Sequence, residues 1–468
     1  MTLTGTRADA IGEATLAELA EALRGELVTA GSEQYDDARS IWNGAHDAHP
    51  AAVIRCAGVA DVLRGVEFAR SQGLPLALRG GGHSIPGFST TDGGIVLDLS
   101  SMTGIRVDPA SRRVVAEAGC LWSDLDHETQ AFGLALTGGL VSTTGIAGFT
   151  LGGGLGWLVR RSGLTSDALV GADIVTADGQ LVHAGADEHP DLFWAIRGGG
   201  GNFGVVTAFE YALQEVGPTV FSGVTFYSGD AAEDILRGYR QACADAPDEL
   251  TTLLNLAIAP PAPFLPESVH GTPIVAVAGM WSGPTDGGDA ATRPFRELAV
   301  PITDLFGPMP YVAMQALLDA LYPRGLHNYF RSAFVPALDD GVVTALTSAY
   351  RALPSPLSEL HVHHLGGAMG RVPADATAFA TRDKDFIVNA IARTPTAEGF
   401  DLVRDWARST TDSLGSGAAT YVNFTGEAAP DRVHASYPAA TYQRLVRIKD
   451  RYDPDNLFRL NQNIPPTG

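Results

Sequence analysis

The chain has 468 residues, a formal net charge of −21 at pH 7 and a hydrophobic fraction of 45%. Nucleic acids and anionic membranes are bound by clustered positive charge, so this balance argues against both as partners. Three cysteines without a Cys-x-x-Cys pair support neither a disulfide framework nor a zinc site, and we predict no bound metal.

The N-terminal 28 residues contain no apolar segment behind a basic start, and no run in the chain approaches the length of a membrane helix. We therefore expect a cytoplasmic protein. Apolar residues at helical spacing predict a helix over 13–28. A β-α-β unit follows, with a strand at 52–55, a helix at 59–72 and a strand at 74–78.

The second of these strands leads into residues 78–90, where three consecutive glycines precede His83. Glycine tolerates positive φ and exposes backbone N–H groups, so this segment can wrap a phosphate or a diphosphate. Pro86 prevents the helix that follows the glycine motif of a dinucleotide-binding fold, and the P-loop pattern is absent. A plain glycine-rich turn with a solvated His83 is the alternative interpretation.

Further strands are predicted at 94–99, 105–107 and 114–118, with a helix at 121–132. Residues 138–157 then include eight glycines among twenty mostly apolar positions. A flexible linker is the alternative interpretation, but linkers are polar and this stretch is apolar. Because its glycines present backbone donors rather than bulky side chains, we predict that it lies flat against a large planar ligand. A hairpin at 172–184, a helix from Asp191, a second glycine-rich loop at 197–204 and a strand at 205–213 complete a second α+β lobe.

From about residue 218 the glycine content falls, and strands alternate with longer helices. The simplest assembly is an antiparallel sheet backed by helices. The predicted strands lie at 221–227, 252–257, 274–281 and 360–365, and the predicted helices at 231–243, 311–318, 342–353 and 397–414. A last helix at 442–452 is expected to pack back on the first part of the chain.

Several segments together resemble the berberine bridge enzyme-like flavoprotein oxidases, which belong to the vanillyl-alcohol oxidase fold group. The resemblance extends from about Trp42 to Pro466. The segments that carry it are Arg79-Gly-Gly-Gly-His83-Ser, the glycine run 145–156, Asp191-Leu-Phe-Trp-Ala-Ile-Arg-Gly-Gly-Gly-Gly-Asn-Phe-Gly-Val-Val206, Tyr421-Val-Asn-Phe, and Tyr452-Asp-Pro-Asp-Asn-Leu-Phe-Arg with Asn461-Gln-Asn-Ile-Pro-Pro.

The resemblance implies an α+β fold with a PCMH-type FAD-binding domain. Two α+β lobes at 1–217 would form that domain, an α+β substrate domain would be inserted at 218–417, and residues 418–468 would return to the FAD-binding domain.

The resemblance also implies FAD attached covalently through its 8α carbon to His83. Many members of the family add a second bond from a cysteine in Gly-x-Cys-x-x-x-Gly. Here Val141 stands at that position and cannot form a thioether, so we predict a single linkage. The predicted cofactor-binding residues are Arg79, Gly80, Gly81, Gly82, His83, Ser84, Gly87, Ser89, Gly139, Ser142, Thr143, Thr144, Gly145, Gly148, Gly152, Gly153, Gly154, Trp157, Val205, Val206, Asn461 and Asn463.

The catalytic base is less defined by the resemblance. Relatives often have Tyr-x-Asn-Tyr, whose second tyrosine helps to deprotonate the substrate, and this chain has Phe424 there. Tyr421 is one candidate for the role. His363, which would share a strand face with His361, is another, although both histidines could instead pack or be solvated. Asn389 is expected to line the pocket, and a substrate that needs little base assistance remains an open alternative.

These residues predict an oxidase that removes hydride from a CH–OH, CH–NH or activated C–H group of a small secondary metabolite. Oxygen would accept the electrons and give hydrogen peroxide, because Thr144 matches a family position where oxygen reaches the flavin. A flavin dehydrogenase that excludes oxygen and a non-catalytic flavin-binding protein are the alternatives. The substrate's identity and the oligomeric state are left open.

Overall fold

A computed structural model describes residues 11–415, 419–427, 433–434 and 436–467. Its first lobe is a four-stranded sheet in the order β1-β2-β4-β3, in which β2 and β3 both run parallel to β4. The predicted β-α-β unit is confirmed. The elements of this lobe are α1 (Glu13–Ala22), β1 (Glu26–Thr29), α2 (Tyr35–Arg39), β2 (Ala52–Arg55), α3 (Val59–Gln72), β3 (Leu76–Arg79) and β4 (Ile95–Asp98).

The predicted helix over 13–28 is wrong in its second half, where the chain turns and forms β1 against β2. The turn is held by Asp61, which accepts hydrogen bonds from the backbone N–H groups of Arg24 at 2.8 Å and Gly25 at 3.0 Å. A Cβ at Gly25 would lie 1.9 Å from the carbonyl oxygen of Arg55. Contacts with distant residues therefore end the helix, and its local spacing does not show them.

The second lobe is a five-stranded antiparallel sheet in the order β5-β6-β10-β8-β9. One short helix lies in its glycine-rich segment and another directly after it, and the sequence revealed neither. The elements are β5 (Ile105–Asp108), β6 (Arg113–Glu117), α4 (Trp122–Gln130), β7 (Leu134–Ala135), α5 (Ile146–Leu151), α6 (Val159–Ser162), β8 (Leu169–Val175), β9 (Leu181–Gly185), α7 (Pro190–Ala195), β10 (Val205–Ala212) and β11 (Gln214–Glu215).

The next part of the chain forms a large antiparallel sheet in the order β15-β12-β14-β13-β18-β19-β17, with β16 beside β12. The predicted antiparallel sheet backed by helices is confirmed, and with it the α+β fold. The elements are β12 (Thr219–Ser228), α8 (Ala232–Ala244), β13 (Leu250–Ile258), β14 (Pro273–Trp281), α9 (Gly288–Arg296), β15 (Thr303–Asp304), β16 (Gly307–Pro310), α10 (Tyr311–Gln315), β17 (His327–Val335), α11 (Asp340–Arg351), β18 (Glu359–His364), α12 (Ala368–Arg371), β19 (Phe386–Thr394) and α13 (Phe400–Ser413).

The register of the large sheet decides which side chains share a face. His361 lies opposite Asn389, and Glu359 lies opposite Ile391, so these four side chains point to one side. The alternate residues Leu360, Val362, Val388 and Ala390 belong to the core that the helices cover. One face of the sheet therefore packs against the helices. The other, which we call the free face, is available for a site.

The last helix, α14 (Ala439–Tyr452), packs back on the first part of the chain as predicted. Its Leu445 and Ile448 lie in the same core as strands of both lobes. A separate core contains residues of the large sheet and its helices, from Tyr227 to Leu414. The middle of the chain is thus packed mainly on itself, while the domain boundaries at 217 and 417 stay predictions.

Asp126 is buried on α4, where this helix contacts α10, and its Oδ2 accepts a hydrogen bond from Gln315 Nε2 at 3.0 Å. Burial raises the pKa of this carboxyl to about 7. The folded-state pKa of Asp126 exceeds its unfolded value of about 4. The contribution of this side chain to stability is therefore fully present below about pH 4 and is lost as the pH rises through about 7.

We therefore expect Asp126→Asn to gain stability relative to the wild type as the pH rises. The difference in unfolding free energy should grow by about 2 kcal/mol between about pH 5.5 and about pH 8.5. Denaturant unfolding at both pH values measures it, with the exposed Glu128→Gln on the same helix as the control. A difference that is the same at both pH values would contradict the expectation.

Candidate active site

A cavity of about 340 Å³ lies between the glycine-rich loops and the free face of the large sheet. Most of the residues predicted from the sequence meet there. Those that line it are Gly80, Gly81, Gly82, His83, Ser84, Ser89, Gly139, Thr144, Gly145, Gly148, Gly152, Val205, Val206, His363, Asn389 and Asn461.

The imidazole of His83 is held from two sides. Its ring stacks on Trp42, with 4.9 Å between ring centroids and 16° between planes, and its Nε2 lies 3.2 Å from Thr143 Oγ1. Burial, together with the charge of Arg324, lowers the pKa of His83 to about 4. The ring is therefore neutral near pH 7, which a nitrogen nucleophile requires.

The two glycine-rich segments touch through their backbones. A Cβ at Gly81 would lie 2.4 Å from the backbone nitrogen of Gly145, and a Cβ at Gly145 would lie 2.3 Å from that of Gly81. Gly82 has φ +70°, which favours glycine. Side chains at these positions would push the segments apart.

The cavity walls fit a flat cofactor that carries a diphosphate. A Cβ at Gly148 or Gly201 would meet no atom within 4 Å, and both residues line the cavity, so glycine leaves room there for a ligand against the backbone. Ser89 Oγ and Asn461 Oδ1 belong to lining residues and are buried without a hydrogen-bond partner in the described part of the chain. Buried polar atoms of this kind call for a ligand or water as partner.

Four other predicted cofactor residues support the loops and are absent from the described lining. Arg79 is buried and pairs with Asp98 at 2.7 Å. Gly87, with φ +84°, packs against His46. The remaining two are Ser142, whose N–H and Oγ donate to Asp319, and Thr143, which contacts His83. Direct contact of these four with the cofactor stays a prediction.

The other predicted cofactor residues outside the described lining are Gly153, Gly154, Trp157 and Asn463. A Cβ at Gly153 would lie 2.6 Å from the ring of Phe379, and Trp157 is buried in a core cluster. Asn463 Oδ1 is buried without a partner among the described residues. Gly153 and Trp157 thus contact other parts of the protein. Contact of the four residues with the cofactor also stays a prediction.

The wall formed by the large sheet presents His361, His363 and Asn389. The predicted common face of the two histidines is confirmed, with 5.6 Å between ring centroids. His363 Nε2 and Asn389 Oδ1 are buried and have no partner among the described residues. Burial, and then the nearby His361, hold the pKa of His363 well below its usual range, so this ring is neutral.

A buried carboxylate beside His361 on the same sheet face was missed by the sequence reasoning. Glu359 accepts hydrogen bonds from Tyr322 Oη at 2.6 Å, Asn255 Nδ2 at 2.6 Å and Arg393 at 2.8 Å, and its Oε2 lies 3.6 Å from His361 Nε2. Although burial opposes ionisation, Arg393 and His361 hold the pKa of Glu359 well below its usual range. The pattern Glu-x-His-x-His on one strand was the signal that could have revealed it.

Tyr421 does not line the cavity among the described residues. Its Oη accepts hydrogen bonds from the backbone N–H of Gly154 at 3.0 Å and from Asn423 Nδ2 at 2.9 Å. Burial raises the pKa of this phenol to about 12. The structure therefore ties Tyr421 to the glycine loop, whereas Phe424 reaches the cavity and lies 5.4 Å from the ring of His363.

Comparison with known proteins adds independent evidence. A family model described as an FAD binding domain matches residues 50–185, and one described as berberine and berberine like matches 420–465. An FAD-linked oxidoreductase of Dictyostelium discoideum is 32% identical over 96% of each chain. The chain belongs to the berberine bridge enzyme-like family of FAD-linked oxidoreductases.

Other proteins similar to this berberine bridge enzyme-like protein are named as oxidases. (R)-6-hydroxynicotine oxidase of Paenarthrobacter nicotinovorans is 30% identical over 95% of this chain and 98% of that one. The crystal structure of 6-hydroxy-D-nicotine oxidase from Arthrobacter nicotinovorans superposes with a TM-score of 0.85 at 29% identity, covering 94% of this chain and 98% of that one. Xylooligosaccharide oxidase of Myceliophthora thermophila, at 22% identity, covers 97% of this chain and 99% of that one, and its TM-score of 0.83 shows the same fold.

These findings confirm the predicted family, an FAD-linked oxidoreductase and FAD as the cofactor. Val141 lines the cavity, whereas the described lining includes none of the chain's cysteines, Cys56, Cys120 and Cys243, all of which are buried. Within the described ranges there is no cluster of three or more His, Cys, Asp or Glu side chains that could hold a metal. No helix in those ranges has the length and apolar character needed to cross a membrane.

Proposed function

We propose that this protein is an oxidase that holds FAD through a single covalent bond from His83 to the 8α carbon. It removes hydride from a CH–OH, CH–NH or activated C–H group of a small secondary metabolite and uses O2 as electron acceptor, giving H2O2. The observation that carries the proposal is that His83, His363 and Asn389 line the same cavity. FAD, when bound, supplies the two-electron acceptor.

Residues of the chain bind the cofactor, orient the substrate and accept its proton. The glycine loops hold the cofactor against backbone N–H groups, and Asn389 orients the substrate. His363 is the proton acceptor, because it lines the cavity and its Nε2 has no partner among the described residues, although burial and His361 lower its pKa and so disfavour the imidazolium. Tyr421, bound to the glycine loop, is the less direct candidate for proton transfer.

A single linkage is supported by the side chains near the flavin site. Val141 stands in the described lining at the position of the second-site cysteine, and its isopropyl group forms no bond to a cofactor. Burial raises the pKa of the Cys120 thiol to about 12, which keeps this thiol unreactive.

Oxygen use is tested on reduced holoenzyme, without any substrate. We expect photoreduced protein to regain its flavin absorbance rapidly in air-saturated buffer and to release one peroxide per flavin, because Thr144 lines the cavity with a small side chain. Thr144→Leu should slow recovery about tenfold, equivalent to ~1.4 kcal/mol in the barrier, and Thr144→Val is the size-matched control. Slow recovery in the wild type would favour a dehydrogenase instead.

A further inference from the structure

We infer that the substrate is an uncharged aromatic molecule carrying a hydroxyl group, and that this hydroxyl binds between His363 Nε2 and Asn389 Oδ1. The inference rests on the proposed oxidase, since it places the substrate in the cavity that His83 also lines. Hydrogen bonding, wall composition and charge each contribute to it.

Two buried polar atoms on this wall have no partner. His363 is 7% exposed and Asn389 is 1% exposed, and neither His363 Nε2 nor Asn389 Oδ1 has a hydrogen bond within the described residues. A hydroxyl group both donates and accepts, so it can give its one proton to the amide oxygen or to an unprotonated Nε2, and it can accept from Nε2 in the other tautomer. An N–H group or a carbonyl oxygen can do only half of this.

The side chains that line the cavity near these two atoms are mostly apolar, and several are aromatic. Trp42, Phe330, Ile391 and Tyr322 pack in one cluster, with Phe424 against it. The rings of Trp42 and Phe330 meet edge to face at 6.3 Å. Such walls suit an aromatic ring, whereas a saccharide would leave most of its hydroxyl groups without partners.

Charge excludes two further classes of ligand. No Asp, Glu, Lys or Arg occurs in the described lining of the cavity. Glu359, on the same sheet face but outside the described lining, is itself paired with Arg393, and both are about 5% exposed. A carboxylate or an ammonium group entering here would lose its hydration without meeting an opposite charge.

The test measures anaerobic binding to the flavin-loaded protein by calorimetry. The probes are benzyl alcohol, its hydroxyl-free analogue ethylbenzene, benzoate, benzylammonium and xylobiose. We expect benzyl alcohol to bind about tenfold more tightly than each of the others. Tighter binding of xylobiose or of a charged probe, equal binding of ethylbenzene, or no binding of any probe would overturn the inference.

Two variants locate the hydroxyl. His363→Phe and Asn389→Leu should each remove the preference for benzyl alcohol over ethylbenzene, while His327→Phe, on β17 outside the described lining, should keep it. A preference that survives in both site variants would overturn the placement. Flavin absorbance and circular dichroism show which variants fold. If neither site variant folds, the probe series on the wild-type protein decides the substrate class.

Failure of the proposed function gives a different result. Covalent flavin and oxygen reactivity are measured on the same preparation, before any probe is added. Missing covalent flavin or slow reoxidation counts against the oxidase. A preparation that has both, but prefers a charged or saccharide probe, counts against the inference alone.

Discussion

The wild-type protein is expected to give a yellow pellet on acid precipitation, and His83→Ala is expected to give a colourless one. Acid unfolds the chain and releases every cofactor that is not covalently bound. His83 is the histidine that lines the cavity beside the glycine loops, and its low pKa keeps the nucleophilic nitrogen unprotonated. The mass of the intact denatured chain should fall by one FAD in the variant.

Cys120→Ser is the control for this experiment, since Cys120 is the cysteine nearest in sequence to the second-site position. It should retain full colour, because Cys120 is buried outside the described lining. Colour retained by His83→Ala would place the bond on another residue. A colourless wild-type pellet would show that the flavin is not covalently attached.

Lys449→Ala is expected to destabilise the protein by about 3–5 kcal/mol, the cost of breaking a buried ion pair from one side. Lys449 and Asp453 are both 0% exposed, and their charged atoms lie 2.6 Å apart. Lys449 Nζ also donates to the carbonyl oxygens of Asn202 and Phe458. Removing the ammonium leaves the buried carboxylate with its backbone N–H donors but without an opposite charge, and two carbonyl groups lose their donor.

Denaturant unfolding followed by fluorescence measures this loss, and flavin content shows whether the second glycine loop, which contains Asn202, is affected. Arg447→Ala, an exposed cation on the same helix, should change stability by less than about 0.5 kcal/mol. A loss for Lys449→Ala no larger than that of the control would show that the pair is not important for stability.

The glycine loops were the part of the site most accessible to sequence reasoning. Three adjacent glycines, a histidine and Pro86 constrain the backbone through local sterics, so they could be interpreted without knowing their neighbours. The same holds for β18, where strand alternation alone places His361 and His363 on one face. The structure confirms the common face of the two histidines, whereas cofactor binding by the glycine loops stays a prediction.

Other features depend on residues far apart in the chain. The carboxylate of Glu359 becomes part of a network only because Asn255, Tyr322 and Arg393 converge on it from separate elements. Ser142 is held by Asp319, 177 residues away, and the helix predicted over 13–28 ends at a turn bound to Asp61. Local spacing carries no information about such partners.

The sequence by itself determined the family, through the combined resemblance of its motifs. It also determined the types of most elements and the place of His83 directly after three glycines, because backbone freedom and side-chain periodicity are local properties. Only the tertiary structure decided that Tyr421 binds the glycine loop, that Phe424 faces the cavity and that no charged side chain is found in its described lining. Ionisation and accessibility depend on what surrounds a group in space, and folding sets those surroundings.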